Sequence, residues 1–232
     1  MDVKEEQLLG GAVGEHWYYR SKQLALDSLL RRVPYTSVLD IGAGSAVFSK
    51  HLLQNGAASA VCVDPAYPAE SQESYRGKPI RYLRDVEPCQ ADLVLLMDVL
   101  EHVDDDVGLI RASMKGATPG AFAVISVPAF PSLFSAHDRF LDHKRRYRMQ
   151  TLEDVVRAAG LDVITARYFF AMILPLVAAM RLLEKRGPPK SSLVPHPRPV
   201  NDLMTLAHRV ELPFFRFNRM GGLSVFCLAR AA

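Results

Sequence analysis

The sequence predicts an α/β fold, with a doubly wound, mostly parallel sheet carrying helices on both faces. Three observations support that prediction. Short apolar runs alternate with helix-period segments along most of the 232 residues. A glycine turn, Gly42-Ala43-Gly44, joins one apolar run to a helix-forming stretch. Asp40, Asp64, Asp85 and Asp98 stand at or just after the ends of successive runs, where ligands collect in such sheets.

The elements follow in order. Residues 15–32 read as a helix with Leu26, Leu29, Leu30 and Val33 on one face. A strand then reaches Asp40, and the next helix stops near Asn55-Gly56, a C-terminal signal. Further strand-like runs end at Asp64, near Leu83, at Met97 and at Val127. A helix over about 105–115 closes at Gly116. Thr151-Leu152-Glu153-Asp154 reads as the cap of another helix, which ends at Gly160. Tyr168 to Met180 is uncharged and mostly apolar, and is too short for a membrane span, which needs about 20 residues. Three readings of it stay open: a buried helix or strand–helix junction, an interfacial helix with basic flanks, or a lid. The buried wall or lid is preferred. Six prolines mark residues 186–221 as an extended insertion, and Leu223 to Ala229 is a final strand. The expected organisation is one domain over 1–232, with 170–221 as a helical, proline-rich lid.

The glycine turn carries the chemistry. Gly42 and Gly44 allow a sharp turn and close approach to a ligand. In a dinucleotide site that turn meets a pyrophosphate. Here Asp40 precedes it, where a carboxylate repels phosphate and favours a cation. A ligand with an ammonium and a nucleoside fits, which points to S-adenosylmethionine rather than NAD. Asp64 can accept both ribose hydroxyls.

These residues resemble class I S-adenosylmethionine-dependent methyltransferases, notably the bacterial type 11/12 small-molecule group. The matching segments are Val38 to Ala46 and Ala91 to Val103, and the likeness covers about residues 15–165. Ala46 departs from it, standing where a third glycine is common; at a helix start alanine should be tolerated. The resemblance implies a Rossmann-like, seven-stranded sheet with its last strand antiparallel and inserted between two others. It implies cofactor contacts from Asp40, Gly42, Ala43, Gly44, Asp64, Pro65, Met97 and Asp98, with Asp85 and Val86 beside the adenine. Trp17 and Arg20 would close over the cofactor, Arg20 against its carboxylate. Asp98, Glu101 and His102 resemble a magnesium set of some quinone-pathway enzymes, but a mixed carboxylate–histidine set suits a hard ion poorly, so no metal is expected.

An oxygen acceptor must lose a proton, so His137, His143 and His102 are the candidate bases. Arg145, Arg146 and Tyr147 belong to a basic run that suits a small anionic substrate. The expected activity is methyl transfer to a small molecule or a lipid- or sugar-linked intermediate, O-methylation first. A non-catalytic cofactor-binding subunit and an NAD oxidoreductase are the alternatives. Net charge is +3 and no basic–aromatic interleaving extends beyond that one run, so nucleic acid is not an expected partner. The charge is uneven: after residue 165, ten Lys/Arg face three Asp/Glu. A membrane surface is therefore a second, less favoured partner. Three scattered cysteines and a polar, acidic start (Asp2, Glu5, Glu6) indicate a cytoplasmic protein, with a peripheral membrane position as the variant.

Overall fold

Leu93 to Met97 are all buried, and that apolar pentad (β5) is the centre of the sheet. On one side of it lie β1 (Ser37–Ile41) and β2 (Ser59–Val63), paired in parallel with Asp40 opposite Cys62. On the other lies β6 (Phe122–Pro128). Alternate strand residues serve opposite faces. Val38, Leu95 and Met97 enter one core, while Leu39, Val94 and Leu96 enter the other. A computed structural model describes residues 8–183, 188–191 and 193–231 of the chain. The acidic start at Asp2, Glu5 and Glu6 lies outside the described residues, as do 184–187 within the expected lid.

The remaining strands are β3 (Ser71–Tyr75), β4 (Lys78–Leu83), β7 (Leu161–Phe169) and β8 (Ser224–Ala231), in the order β3-β4-β2-β1-β5-β6-β8-β7. Among the described residues there are eight strands where seven were expected. The extra one, β3, hairpins onto β4 through Arg76-Gly77, both with positive φ, the geometry of a tight two-residue hairpin. Its sequence is polar and exposed, so no apolar alternation announced it. β8 is antiparallel between β6 and β7.

The helices are α1 (Trp17–Leu30), α2 (Val47–Gln54), α3 (Asp106–Met114), α4 (Ala136–Phe140), α5 (Met149–Ala158), α6 (Leu174–Leu183) and α7 (Arg198–Phe215). Three local readings need correction. α5 starts at Met149, so Thr151 lies inside its first turn; the Met149 N–H, a donor the helix cannot satisfy, goes to the Tyr168 hydroxyl at 3.1 Å. Residues 198–215 are helical, not extended. Pro199 sits in the first turn, where no intrahelical donor is lost, and Pro213 interrupts only the last turn. Tyr168 to Met180 is a strand–helix junction that is buried only at its start: Tyr168, Phe169 and Phe170 are core, whereas Met172, Leu176 and Met180 are exposed.

Candidate active site

The glycine turn leaves β1 and is pinned at once to β2. Gly42 N–H and Ala43 N–H both donate to Val63 O, at 2.7 and 3.1 Å. Gly42 has φ +63, and a Cβ there would meet Val99 Cγ2 at 2.6 Å, so only glycine fits. Gly44 N–H donates to Asp64 Oδ2 at 2.9 Å, and the Tyr67 hydroxyl clasps Gly44 O at 2.7 Å. Asp64 also accepts from Ala66 N–H at 2.9 Å. It therefore holds the loop through both carboxylate oxygens. Ala46 does not begin the helix. It is the residue before it, buried, with φ 59 and ψ 30.

Asp40 is buried behind this turn. Ser49 Oγ donates to its Oδ2 at 2.8 Å, and Oδ1 has no partner. Burial outweighs the serine bond and lifts the carboxyl to about 6. A buried carboxylate oxygen awaiting a donor fits an ammonium. Asp85 and Val86 follow β4, beside β2, with Asp85 exposed and Val86 half-buried, while Pro65 is exposed after Asp64. Met97 is buried at the end of β5.

A separate cavity of about 200 Å³ opens beyond the ends of β5 and β6. Trp17, Phe170, Ile173, Val177 and Leu193 form its apolar wall, and Asp98, Glu101, His102, His137, His143 and Arg146 its polar end. Asp98 has φ 56 and is ion-paired with Lys22, whose ammonium is fully buried and also donates to Ser126 Oγ at 2.9 Å. Lys22 was missed by sequence reasoning. The available signal was a charge on the α1 face shared with Tyr19 and Leu26, both core residues.

Asp138 is the hub of the polar end. Arg146 Nε donates to it at 2.6 Å, Arg181 at 3.2 Å and the Ser135 N–H at 2.8 Å, while His143 Nδ1 lies at 3.0 Å. Burial alone would raise its carboxyl, but the His143 bond and the two guanidiniums win and hold it well below the usual carboxylate range. An ionised Asp138 can only accept, so Nδ1 of His143 carries the proton of that bond. Burial, then His143, pushes His102 down to about 4. Burial, then Arg181, pushes His137 down to about 3. Glu101 is buried with neither oxygen partnered, and burial with nearby Asp98 lifts its carboxyl well above the usual range.

The structure thus gathers His102, His137 and His143 at one cavity. It does not gather the basic run there. Arg146 lines the cavity but is committed to Asp138 and to Ala129 O at 2.9 Å. Arg145 pairs with Asp106 at 3.3 Å. The Tyr147 hydroxyl is buried between Leu100 O at 3.1 Å and Asp106 at 2.9 Å. Arg20 is spent on Asp202 of α7, at 2.6 Å, and Trp17 walls the cavity while stacking on His208. Glu101, His102 and His143 bring one ligand atom each within 4.8 Å of one another, close enough to share a small cation, while Asp98 is ion-paired with Lys22.

The methyltransferase domain profile matches residues 15–184, well over half of the chain. The chain belongs to that family. Among curated relatives, it is 28% identical over 157 residues to the ubiquinone biosynthesis O-methyltransferase of Nitrosospira multiformis, covering 57% of this chain and 65% of that one. The enzyme of the same name from Hahella chejuensis is 33% identical over 110 residues, 42% of this chain and 46% of its own. The methyltransferase thus spans less than two thirds of these relatives' length. In fold it is similar to an S-adenosylmethionine-dependent methyltransferase from Mesorhizobium loti, with a TM-score of 0.57 at 17% identity over 90% of this chain and 97% of that one. One from Archaeoglobus fulgidus gives 0.51 at 16% identity, over 98% and 97%.

Proposed function

We propose that the enzyme methylates a hydroxyl oxygen on a small amphipathic acceptor, with His143 receiving the hydroxyl proton. The observation that supports this most is the Asp138–His143 pair at the polar end of an otherwise apolar cavity. Asp138 fixes the ring and its tautomer, leaving Nε2 as the acceptor. The proton passes from the hydroxyl to Nε2, and the imidazolium that forms is stabilised by the Asp138 carboxylate. Asp138 with Arg146 and Arg181 carries one surplus positive charge, which favours the oxygen as it becomes anionic. The apolar wall orients the acceptor and excludes water.

When bound, S-adenosylmethionine supplies an electrophilic methyl carbon. Asp40 would take its ammonium, Asp64 its ribose hydroxyls, and Asp85 and Val86 would flank its adenine. The relatives named O-methyltransferases support the choice of oxygen. The test is transfer of labelled methyl to phenols and catechols with and without an apolar chain, against matched amines and carboxylic acids. Alkali-stable label on the hydroxyl compounds, strongest with the apolar chain, is expected. Label confined to amines, or to alkali-labile esters, would overturn the reading.

A further inference from the structure

α7 is built inside out. Its buried residues are Asn201, Thr205, His208, Glu211 and Phe215, four of them polar. Its outward residues Leu203, Leu206, Val210 and Phe214, followed by Phe217, are 56% to 70% exposed, and Met220 more so. Spacings of three and four put these side chains on one stripe. The ordinary orientation would bury that stripe.

The helix cannot simply roll over, because its polar face is bonded in place. Asn201 Oδ1 accepts from Trp17 N–H at 3.0 Å, and its amide donates to His196 O at 2.9 Å. Thr205 Oγ1 donates to Asn201 O at 2.7 Å. Glu211 accepts from the Ala171 N–H at 2.7 Å and lies 3.2 Å from His208 Nδ1. His208 in turn stacks on Trp17. The Thr205 and His208–Glu211 bonds lie within the helix, but rolling the stripe inward would break those to Trp17, His196 and Ala171 and leave their donors and acceptors unmet.

We infer that the outward face of α7 docks on the surface of a membrane containing anionic lipid. Charge selects that occupant. Arg209 and Arg216 accompany the stripe, Arg216 over the Phe217 ring at 4.5 Å, while Arg198 and Arg219 beside it are paired with Glu15 and Glu153 at 3.4 and 3.1 Å. The exposed acid among them, Asp202, is already paired with Arg20. Apolar residues that enter the acyl boundary, with arginines at headgroup level, are the pattern of an interfacial helix. A second copy of the chain is a poorer fit, since a two-fold interface would bring the same arginines face to face. The face also adjoins the cavity: Met204 of α7 and Leu176 of α6, itself exposed, both line it. The inference does not depend on which atom is methylated.

Flotation of the full chain with phosphatidylcholine vesicles, with and without about one third phosphatidylglycerol, tests it. The chain should float with the anionic vesicles and fall off them as salt rises. The double variant Leu206→Asp/Val210→Asp should lose at least about tenfold in vesicle affinity, with cofactor binding intact to show that it is folded. Arg209→Gln/Arg216→Gln should lose the salt-dependent part and keep its melting temperature. Wild-type protein that floats with neither vesicle, or a double variant that floats as well as wild type, would overturn the inference. So would a concentration-dependent dimer that the double variant abolishes, because a second copy would then own the face.

Discussion

Asp40 and Asp138 are both buried carboxylates, and the chain treats them oppositely. Asp40, under the glycine turn, receives one serine hydroxyl and has an oxygen without a partner, so burial lifts its carboxyl to about 6. Asp138, on the short helix α4 beyond β6, is served by two arginines, a histidine and a backbone amide, which hold it ionised. One half of the molecule keeps a buried carboxylate oxygen without a partner, which suits the cationic ligand proposed for it. The other half completes its electrostatics internally and spends the result on orienting a histidine. Cofactor affinity and catalytic rate should therefore respond to different residues.

His143→Ala is the sharpest way to break that division. It should lower kcat by about 10²- to 10⁴-fold, the usual contribution of a positioned base, while cofactor affinity measured by calorimetry stays within twofold or so. Chelators should leave wild-type activity unchanged. Loss of activity on EDTA treatment with recovery on magnesium would instead make Glu101, His102 and His143 ion ligands and displace the base from the mechanism.

The Lys22–Asp98 pair comes next. Lys22→Met keeps the bulk of the side chain and removes its charge, leaving Asp98 and Ser126 without the ammonium they face. Removing one member of a buried pair costs about 3 kcal/mol or more in stability, which urea unfolding would detect. A cost below about 1 kcal/mol would show that water replaces the lysine and that the pair is effectively exposed.

Asp40 is tested by pH. Its folded pKa of about 6 lies above the ordinary value near 4, so the folded state holds its proton more firmly. The stabilising contribution is full below about pH 4 and is lost as pH rises through about 6. Asp40→Asn should flatten that part of the stability profile. Binding has the opposite sign, because an ammonium needs the ionised form. Cofactor affinity should fall by up to about tenfold per pH unit below about 6, and the variant should lack that dependence. Affinity that is flat in wild type over the same range would place the ammonium elsewhere.

The two halves also differ in how far their sequence can be read. Asp40, Gly42, Gly44 and Asp64 are fixed by one strand–turn–helix unit and the next strand, so local pattern announces them. The acceptor half is assembled over long separations. Arg181 reaches Asp138 from α6, and Lys22 reaches Asp98 across the width of the chain. Asp138 itself sits on a five-residue helix with no periodicity to display. The basic run misled for the same reason: Arg145 and Tyr147 look like a surface cluster, yet both find Asp106 on α3. α7 was hidden by prolines that fall where a helix tolerates them, and its inverted stripe ran against the expectation that apolar residues face inward.

The smallest effect lies at Ala46, and three opposing quantities decide it. A non-glycine residue with φ 59 pays roughly 1–2 kcal/mol for the left-handed conformation. Glycine would remove that cost but lose about 0.5–1 kcal/mol to the greater freedom of the unfolded chain. It would also forfeit the packing of a methyl group that is fully buried, about 0.8 kcal/mol. The sum is close to zero, so Ala46→Gly should shift stability by less than about 1 kcal/mol in thermal melting. Cofactor affinity should also hold, because the Gly42, Ala43 and Gly44 amides are pinned to Val63 and Asp64, and the Ala46 N–H bond to Ala43 O at 2.9 Å is a backbone bond that glycine keeps. A stabilisation above about 2 kcal/mol would mean that the methyl contributes no packing and that strain alone governs the site. A tenfold gain in cofactor affinity would mean that the Ala46 side chain holds the loop back from the ligand.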